Sequence, residues 1–519
     1  MRDTKKRNGF ASGLGFILAA AGSAVGLGNL WGFPYKTSAN GGAAFVFVYI
    51  LCVLIMGSIV LVAEMYLGRR AQANPVTAYK NVHKGLGFVG VLVIAIPFII
   101  TCYYSILGGW TLKYAFNSFA SGEKANAATN FFGDFTSNPI EPVIFTIIFM
   151  LMSGLIIMFG VKGGIEKASK VLMPALFVLL LAIAIYCLCL GEGVAKGLDF
   201  YLNPNFKALG FDGVLAAMGQ AFYSLSLGMG IMVSYGSYTG KDIKMGKSVA
   251  MIAIFDTMVA LIAGLGIFSA VGALQPELLG TDSMGGVALI YIVLPKIFAQ
   301  MGSFGNVVSC FFFAMVVIAA LTSVISLMEV STQFVIQKFK VARKKATLLL
   351  CCICALLSIP IAWSVGGAFD GGITLFGFDL LTFFDEMTNT VLMPVGAMFS
   401  CICVGWFIGK KEKTKDWFAP SHTYRSLKSD GLDIGGFTKI FAFMVKYFGP
   451  LLILFIEIFG IIGKIKANGT HYWWVIVFSV LLIILSITVY FLFFKNAYTG
   501  KNEDEIILEN NEEQADKQG

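Results

Sequence analysis

A chain of 519 residues that is 57% hydrophobic and only 13% charged, with mean hydropathy +0.80, cannot be a water-soluble protein, whose composition calls for about a quarter charged residues. Its apolar runs are long and uninterrupted, which excludes a transmembrane β-barrel built from strands of about ten alternating residues and leaves an all-α polytopic membrane protein. The net charge of +8 does not point to nucleic acid, because the basic residues fall in short runs between apolar segments, where membrane topology accounts for them.

In chain order, residues 1–10 form a polar segment, MRDTKKRNGF, with no small-residue cleavage pattern after the apolar stretch that follows, so no cleaved signal peptide is expected. Helix-length apolar runs then fall near 12–35, 43–67, 87–117, 140–159, 171–190, 213–236, 248–272, 304–336, 346–364, 375–408, 440–462 and 473–494. These predict twelve transmembrane helices of about 20 apolar residues each. Arg2, Lys5, Lys6 and Arg7 precede the first run, Arg69, Arg70, Lys80 and Lys84 follow the second, and Lys338, Lys340, Arg343, Lys344 and Lys345 follow the eighth. The positive-inside bias therefore puts both termini in the cytoplasm of a multi-pass protein of the cell membrane. The expected organisation is a cytoplasmic segment 1–10, a first five-helix repeat 11–190, and a second repeat 191–409 with outer loops. A cytoplasmic loop 410–439, helices eleven and twelve in 440–495, and a polar cytoplasmic tail 496–519 complete it. The outer connection 274–303, with Pro276 and Pro295, is long enough for a short re-entrant or capping helical pair. The ten cysteines lie in or at the ends of apolar runs and read as small buried hydrophobes.

Two runs cannot be regular helices. The first, FILAAAGSAVGLGNLWGFPY, clusters Gly22, Gly26 and Gly28 near its midpoint; the sixth, QAFYSLSLGMGIMVSYGSY, carries Gly228 and Gly230. One glycine cluster would be ordinary close helix packing. Here the clusters stand five helices apart, each beside polar groups: Ser23 and Asn29 in the first, Gln220, Ser224 and Ser226 in the second. Broken backbone at membrane depth is tolerated only where it lines a cavity, and interrupted helices at matching positions of two halves mark the binding site of inverted-repeat transporters. Freed carbonyls suit a small hard cation or an ammonium group, and a half-helix N-terminus suits a carboxylate. A zwitterionic amino acid presents both charges.

The motif AGSAVGLGNLWGFPY with NGGAAF, then Glu64 and GRR, followed by GQAFYSLSLGMG, DTMVALIAGLGIF and AALTSVIS, resembles the neurotransmitter:sodium symporter family over about residues 7–495. The resemblance is to its bacterial, leucine-transporter-type members, and implies ten of the twelve helices in a 5+5 inverted repeat with helices one and six broken. It implies two sodium ions: one held by the carbonyl of Ala24, the side chains of Asn29 and Asp256, Ser224 and the substrate carboxylate; the other by carbonyls of Gly22, Val25 and Ala319 and the hydroxyls of Thr322 and Ser323. An all-oxygen cage is the chemistry a hard monovalent ion requires, and positions 319, 322 and 323 share one helix face. It places the substrate carboxylate on the amides of Leu27 and Gly28 and the hydroxyl of Tyr104, and the amine on Ala24, Tyr223, Ser224 and Ser226. The side-chain pocket would be Ile100, Tyr104, Tyr223, Met229, Ser323 and Leu327. No acid or base is among them, so the expected substrate is a hydrophobic or aromatic amino acid.

An ionised carboxylate in mid-membrane is functional by default, and Asp256 is weighed first among the acids Glu64, Glu329, Asp385 and Glu457 that fall within apolar runs. Chloride-dependent members of the family carry a neutral amide at position 256 and a serine where Ala260 stands, so chloride independence is expected. Two departures fall at gates. The family's arginine after the first-helix tryptophan is Gly32 here, although its acidic partner position keeps Asp385; and the aspartate expected near the end of the eighth run is Gln337, although Arg7 and Tyr238 match the other cytoplasmic gate positions. Closure is expected to use other contacts, such as the Tyr104 and Tyr223 rings.

The chain carries no nucleotide-binding loop, and His83, His422 and His471 lie in loops, so neither a primary pump nor an enzyme is expected. The expected function is sodium-coupled import of an amino acid across the lipid bilayer, with a non-translocating amino-acid sensor on the same fold as the alternative. The lack of a large, cysteine-bearing second outer loop points to a prokaryotic membrane.

Overall fold

The computed structural model describes residues 9–122, 126–128, 130–240, 243–281, 286–366, 373–408, 419–429, 432, 434 and 436–495. The expectations for Arg7, for the tail 496–519 and for part of the 410–439 loop, chiefly 410–418, lie outside the described residues. Inside a bilayer every backbone N–H and C=O must find a partner within the protein, so long runs of Leu, Ile, Phe, Val and Ala close their hydrogen bonds locally as helices. Among the described residues nine helices are long and apolar enough to cross a membrane, and the bent pair Gly13–Ala24 and Gly28–Ala39, meeting at 51°, makes a tenth.

Local geometry supplies the other two spans. As one rod, the 58 residues of Phe437–Phe494 would be about 87 Å long, near three bilayer thicknesses. Gly469, at φ +61, and a short turn at Gly469–His471 divide it into spans eleven and twelve. Span six consists of Phe211–Ser224 and Ile231–Ser237, each too short to cross alone. The total is the expected twelve, in an all-α membrane protein.

Spans three (Lys84–Ala120) and eight (Gly305–Phe339) run through the centre beside the two broken spans. The most apolar window of span eight is 78% buried inside the protein, against 22% for the stretch that holds spans eleven and twelve. The outer spans turn Leu151, Leu155, Val178, Leu454 and Leu485 outward, faces that a hydrocarbon phase solvates at no cost. Interior glycines let backbones meet. A Cβ on Gly109 would stand 2.6 Å from the Thr146 amide nitrogen of span four, and one on Gly90 would stand 2.6 Å from the Val76 nitrogen.

Several boundaries differ from those read in the sequence, among them the start of span five, at Val161 rather than 171. Span ten starts at Leu380 rather than 375, because Thr374–Leu375 pairs with Phe378–Asp379 across a tight turn in which Phe376 and Gly377 take φ +54 and +89. Span eleven continues past 462 to Asn468, since Lys464 and Lys466 can keep apolar stems on the helix and their charges at its end. In the connection 274–303 one helix stands out, Leu289–Gln300. Its Tyr291 is sealed against Tyr114 and Trp110 with ring centroids 5.1 and 5.7 Å apart.

Candidate ion and substrate site

The first half of span one is capped by Ser12, whose side chain accepts from the Gly15 amide, and ends at Ala24; Val25 is then extended at φ −72, ψ 104. Gly26 to Leu27 is therefore open backbone, held by specific side chains instead of by helical bonds. Asn29 Oδ1 accepts from the Gly26 amide (3.1 Å), the Tyr104 hydroxyl accepts from the Leu27 amide (3.0 Å), and Gln220 Nε2 donates to the Gly28 carbonyl (2.9 Å). The glycines here are a matter of space: a Cβ on Gly26 would stand 2.6 Å from Ser323 Oγ and 2.9 Å from the Tyr104 hydroxyl, and one on Gly28 would stand 2.6 Å from the Tyr223 ring.

Span six breaks between Ser224 and Ile231, where Ser226, Gly228 and Gly230 take φ +54, +78 and +69. For Ser226 that left-handed conformation is uncommon. Its hydroxyl secures it by donating to the Ser23 carbonyl of the other break at 2.9 Å. The Gly228 amide donates to Glu64 Oε1 (2.9 Å), which also accepts from Ser400 (3.2 Å). Glu64 thus ties the sixth-span break to the second and tenth spans.

Between the breaks lies a cavity lined by Ser23, Ala24, Gly26, Gly28, Ile100, Tyr104, Tyr223, Ser226, Met229, Ile231, Ser323 and Leu327. Nine of the eleven substrate residues named from the sequence line it. Leu27 and Ser224 do not: the Leu27 side chain is fully buried, with its amide on Tyr104, and Ser224 turns its hydroxyl away to Asp256. Sequence reading missed Ser23, Gly26 and Ile231 as lining residues, although the first two belong to the glycine motif and the third opens the second half-helix.

Beside the cavity stands a closed polar cluster. Asp256, in span seven and 0% exposed, accepts from Asn29 Nδ2 through Oδ1 (2.8 Å) and from the Ser224 hydroxyl through Oδ2 (2.7 Å). The same Asn29 NH2 also donates to the Asp256 carbonyl and to Ser224 Oγ, each at 3.1 Å, and the Tyr49 hydroxyl donates to Ser224 Oγ at 3.2 Å. A single weakly positive NH2 group is thus surrounded by acceptors that include a full carboxylate, which is the demand a cation would meet. Among the described residues no three His, Cys, Asp or Glu side chains converge on a metal position, so neutral oxygens and one carboxylate are what the site offers.

The span-eight trio faces the first break from the other side. Ala319 is fully buried, and Thr322 donates to the Ala319 carbonyl (3.1 Å). Ser323 reaches the Ser23 carbonyl at 3.5 Å. A Cβ on Gly22 would lie 3.5 Å from the Thr322 Cβ, so Gly22 is against the trio, with Val25 one turn along.

One end of the cavity is secured differently from the sequence expectation. At the end bearing the basic runs, Gln337 accepts from the backbone and side chain of Asn74 (3.0 and 2.8 Å). An ionic contact there is Glu329, fully buried, which takes a two-pronged bond from Arg343 (2.8 and 3.0 Å) and a third from the Tyr238 hydroxyl (2.7 Å). It joins spans six, eight and nine. Sequence reading named Glu329 only among the acids within apolar runs and gave Arg343 only a topological role; they sit on different helices, so helical spacing does not group them.

The sequence matches the profile of the sodium:neurotransmitter symporter family over residues 7–132 and 139–499. It is 33% identical over 462 residues to a sodium-dependent transporter of Bacillus subtilis, YhdH, covering 88% of this chain and 98% of the other. It is 30% identical to the sodium-dependent transporter MJ1319 of Methanocaldococcus jannaschii, covering 78% and 82%. The crystal structure of MhsT in complex with L-phenylalanine superposes with a TM-score of 0.76 at 36% identity, covering 87% of this chain and 99% of that one. The shared fold fixes the ten-helix inverted repeat with its broken first and sixth members, and the chain belongs to the sodium:neurotransmitter symporter family, whose members are sodium-dependent membrane transporters.

Proposed function

We propose that this protein imports a hydrophobic or aromatic amino acid together with two sodium ions, without a requirement for chloride. The observation that carries the reading is the juxtaposition of an apolar cavity, open backbone from two broken helices, and the Asp256–Asn29–Ser224 cluster within one residue of that backbone. The cavity holds Ile100, Met229, Ile231 and Leu327 and the rings of Tyr104 and Tyr223. Burying a large apolar side chain there is worth about 2–3 kcal/mol, whereas a charged one would meet no counter-charge. The L-phenylalanine held by MhsT is a side chain of this class.

The amino acid's ammonium would face the backbone carbonyls of Ala24, Tyr223 and Ser224 and the Ser226 hydroxyl, and its carboxylate the Gly28 amide, the Tyr104 hydroxyl and the Leu27 amide, which this hydroxyl now holds and would release to it. Sodium is cargo here. The first ion would take the place the Asn29 NH2 holds between Asp256 and Ser224, with the amide turning to offer Oδ1 instead and the Ala24 carbonyl joining as a further ligand. It would also touch the substrate carboxylate, so each ligand strengthens the other's binding, which is the thermodynamic core of symport. The second ion would sit among Gly22, Val25, Ala319, Thr322 and Ser323. Asp256 supplies the negative charge that a chloride ion would otherwise bring, and Ala260, fully buried one turn along the same helix, has no hydroxyl to hold one. An inward sodium gradient would drive the amino acid toward the side that bears the basic runs, the cytoplasm.

The test is uptake of radiolabelled phenylalanine, leucine and tryptophan by proteoliposomes with an imposed inward sodium gradient. The expected result is accumulation that collapses when sodium is replaced by choline and persists when chloride is replaced by gluconate. Sodium-dependent binding without accumulation would favour a sensor on the same fold, and loss of uptake in gluconate would refute the chloride assignment.

A further inference from the structure

Gly32 leaves the outer half of span one without a side chain beside Gln220, where a Cβ would stand 3.4 Å from Gln220 Oε1, yet a cation stands one turn further along. Lys36 shares the face of Gly32 at i+4. Its Nζ donates to Gln220 Oε1 at 2.9 Å and lies 6.0 Å from the centroid of the Tyr223 ring, one wall of the cavity. Gln220 hands its own NH2 to the Gly28 carbonyl, so the ammonium is one side chain removed from the open backbone.

Lys36 also lies within electrostatic range of Asp385, Glu386 and Lys464. These do not compete equally for it. Glu386 already pairs with Lys464 and accepts from Thr390 (2.8 Å) and Tyr472 (3.2 Å). Asp385 is bonded by the neutral Asn389 and Tyr103. Lys36 on a neutral amide and Asp385 on neutral donors are therefore a cation and an anion, both partly withdrawn from water, each without an ionic partner among the described residues. Two such groups gain most when they meet, since pairing recovers the desolvation each already bears.

We propose that Lys36 is the cation of the outer gate: as the cavity closes over its amino acid, the ammonium leaves Gln220 for Asp385, spanning from one turn away the gap that Gly32 leaves. This rests on the transport reading above. The test is the rate at which purified full-length protein in sodium releases radiolabelled phenylalanine or leucine after isotopic dilution. Lys36→Met and Asp385→Asn should each speed release about tenfold with the half-saturating sodium concentration within about twofold of wild type. The double variant should release no more than about twofold faster than either single, and Lys36→Arg should stay within about threefold of wild type; Lys36→Gln serves if the methionine variant does not fold. Release at the wild-type rate, or effects that multiply to about a hundredfold in the double variant, would overturn the gate while leaving transport standing. A wild-type protein that binds neither amino acid in sodium overturns both.

Discussion

Replacing Asp256 by asparagine tests the ion site most directly, because it removes one charge while preserving shape. Asp256 is fully buried, and both its oxygens accept hydrogen bonds, from Asn29 at 2.8 Å and Ser224 at 2.7 Å. A unit charge about 4 Å from a monovalent cation is worth about 4 kcal/mol at an effective dielectric constant of about 20. Asparagine keeps one carbonyl oxygen toward the ion and recovers part of this, so a net loss of about 2–3 kcal/mol is expected. At 1.36 kcal/mol per decade that raises the half-saturating sodium concentration roughly 30- to 150-fold. The assay is binding of radiolabelled phenylalanine to purified protein as a function of sodium, with choline holding the ionic strength constant. Thermal unfolding without sodium provides the control: a buried carboxylate has been replaced by a neutral group, so Tm should stay level or rise. A variant with the wild-type sodium midpoint and a lowered Tm would refute the reasoning, making Asp256 a structural acid and not an ion ligand.

Other perturbations separate the parts of the site. Gly26→Ala puts a methyl 2.6 Å from Ser323 Oγ and 2.9 Å from the Tyr104 hydroxyl, so amino-acid binding should fall about 5- to 150-fold, in line with overpacking costs of about 1–3 kcal/mol, in a protein that still elutes as a monodisperse peak. Thr322→Ala removes one hydroxyl from the proposed second ion site, and a loss of about 1–1.5 kcal/mol should shift the sodium midpoint roughly tenfold in the same titration. Arg343→Met strands the fully buried Glu329 and should lower unfolding stability by about 3–5 kcal/mol, seen as a drop in Tm. Adding Glu329→Leu should recover most of it, and no recovery would mean that Arg343 acts elsewhere.

Much of this molecule is legible in one dimension because a bilayer leaves the chain few choices. Apolar runs of the right length must be helices, and glycines clustered at mid-depth in spans one and six must line something, since unsatisfied backbone has no water to turn to. The motifs that mark the first break and the Ala319, Thr322 and Ser323 face are contiguous or one turn apart, so spacing alone groups them. Pairings across many residues are a different matter. That Ser226 reaches back 203 residues to the Ser23 carbonyl, that Ser224 serves Asp256 and not the cavity, that Arg343 rather than a residue at position 337 meets the buried acid, and that Lys36 stands over Tyr223 are all decided by how helices pack. The reason is physical: helical periodicity sets which face a side chain shares with its own neighbours, but which other helix meets that face, and at what depth, is fixed only when the close-packed interior excludes the alternatives.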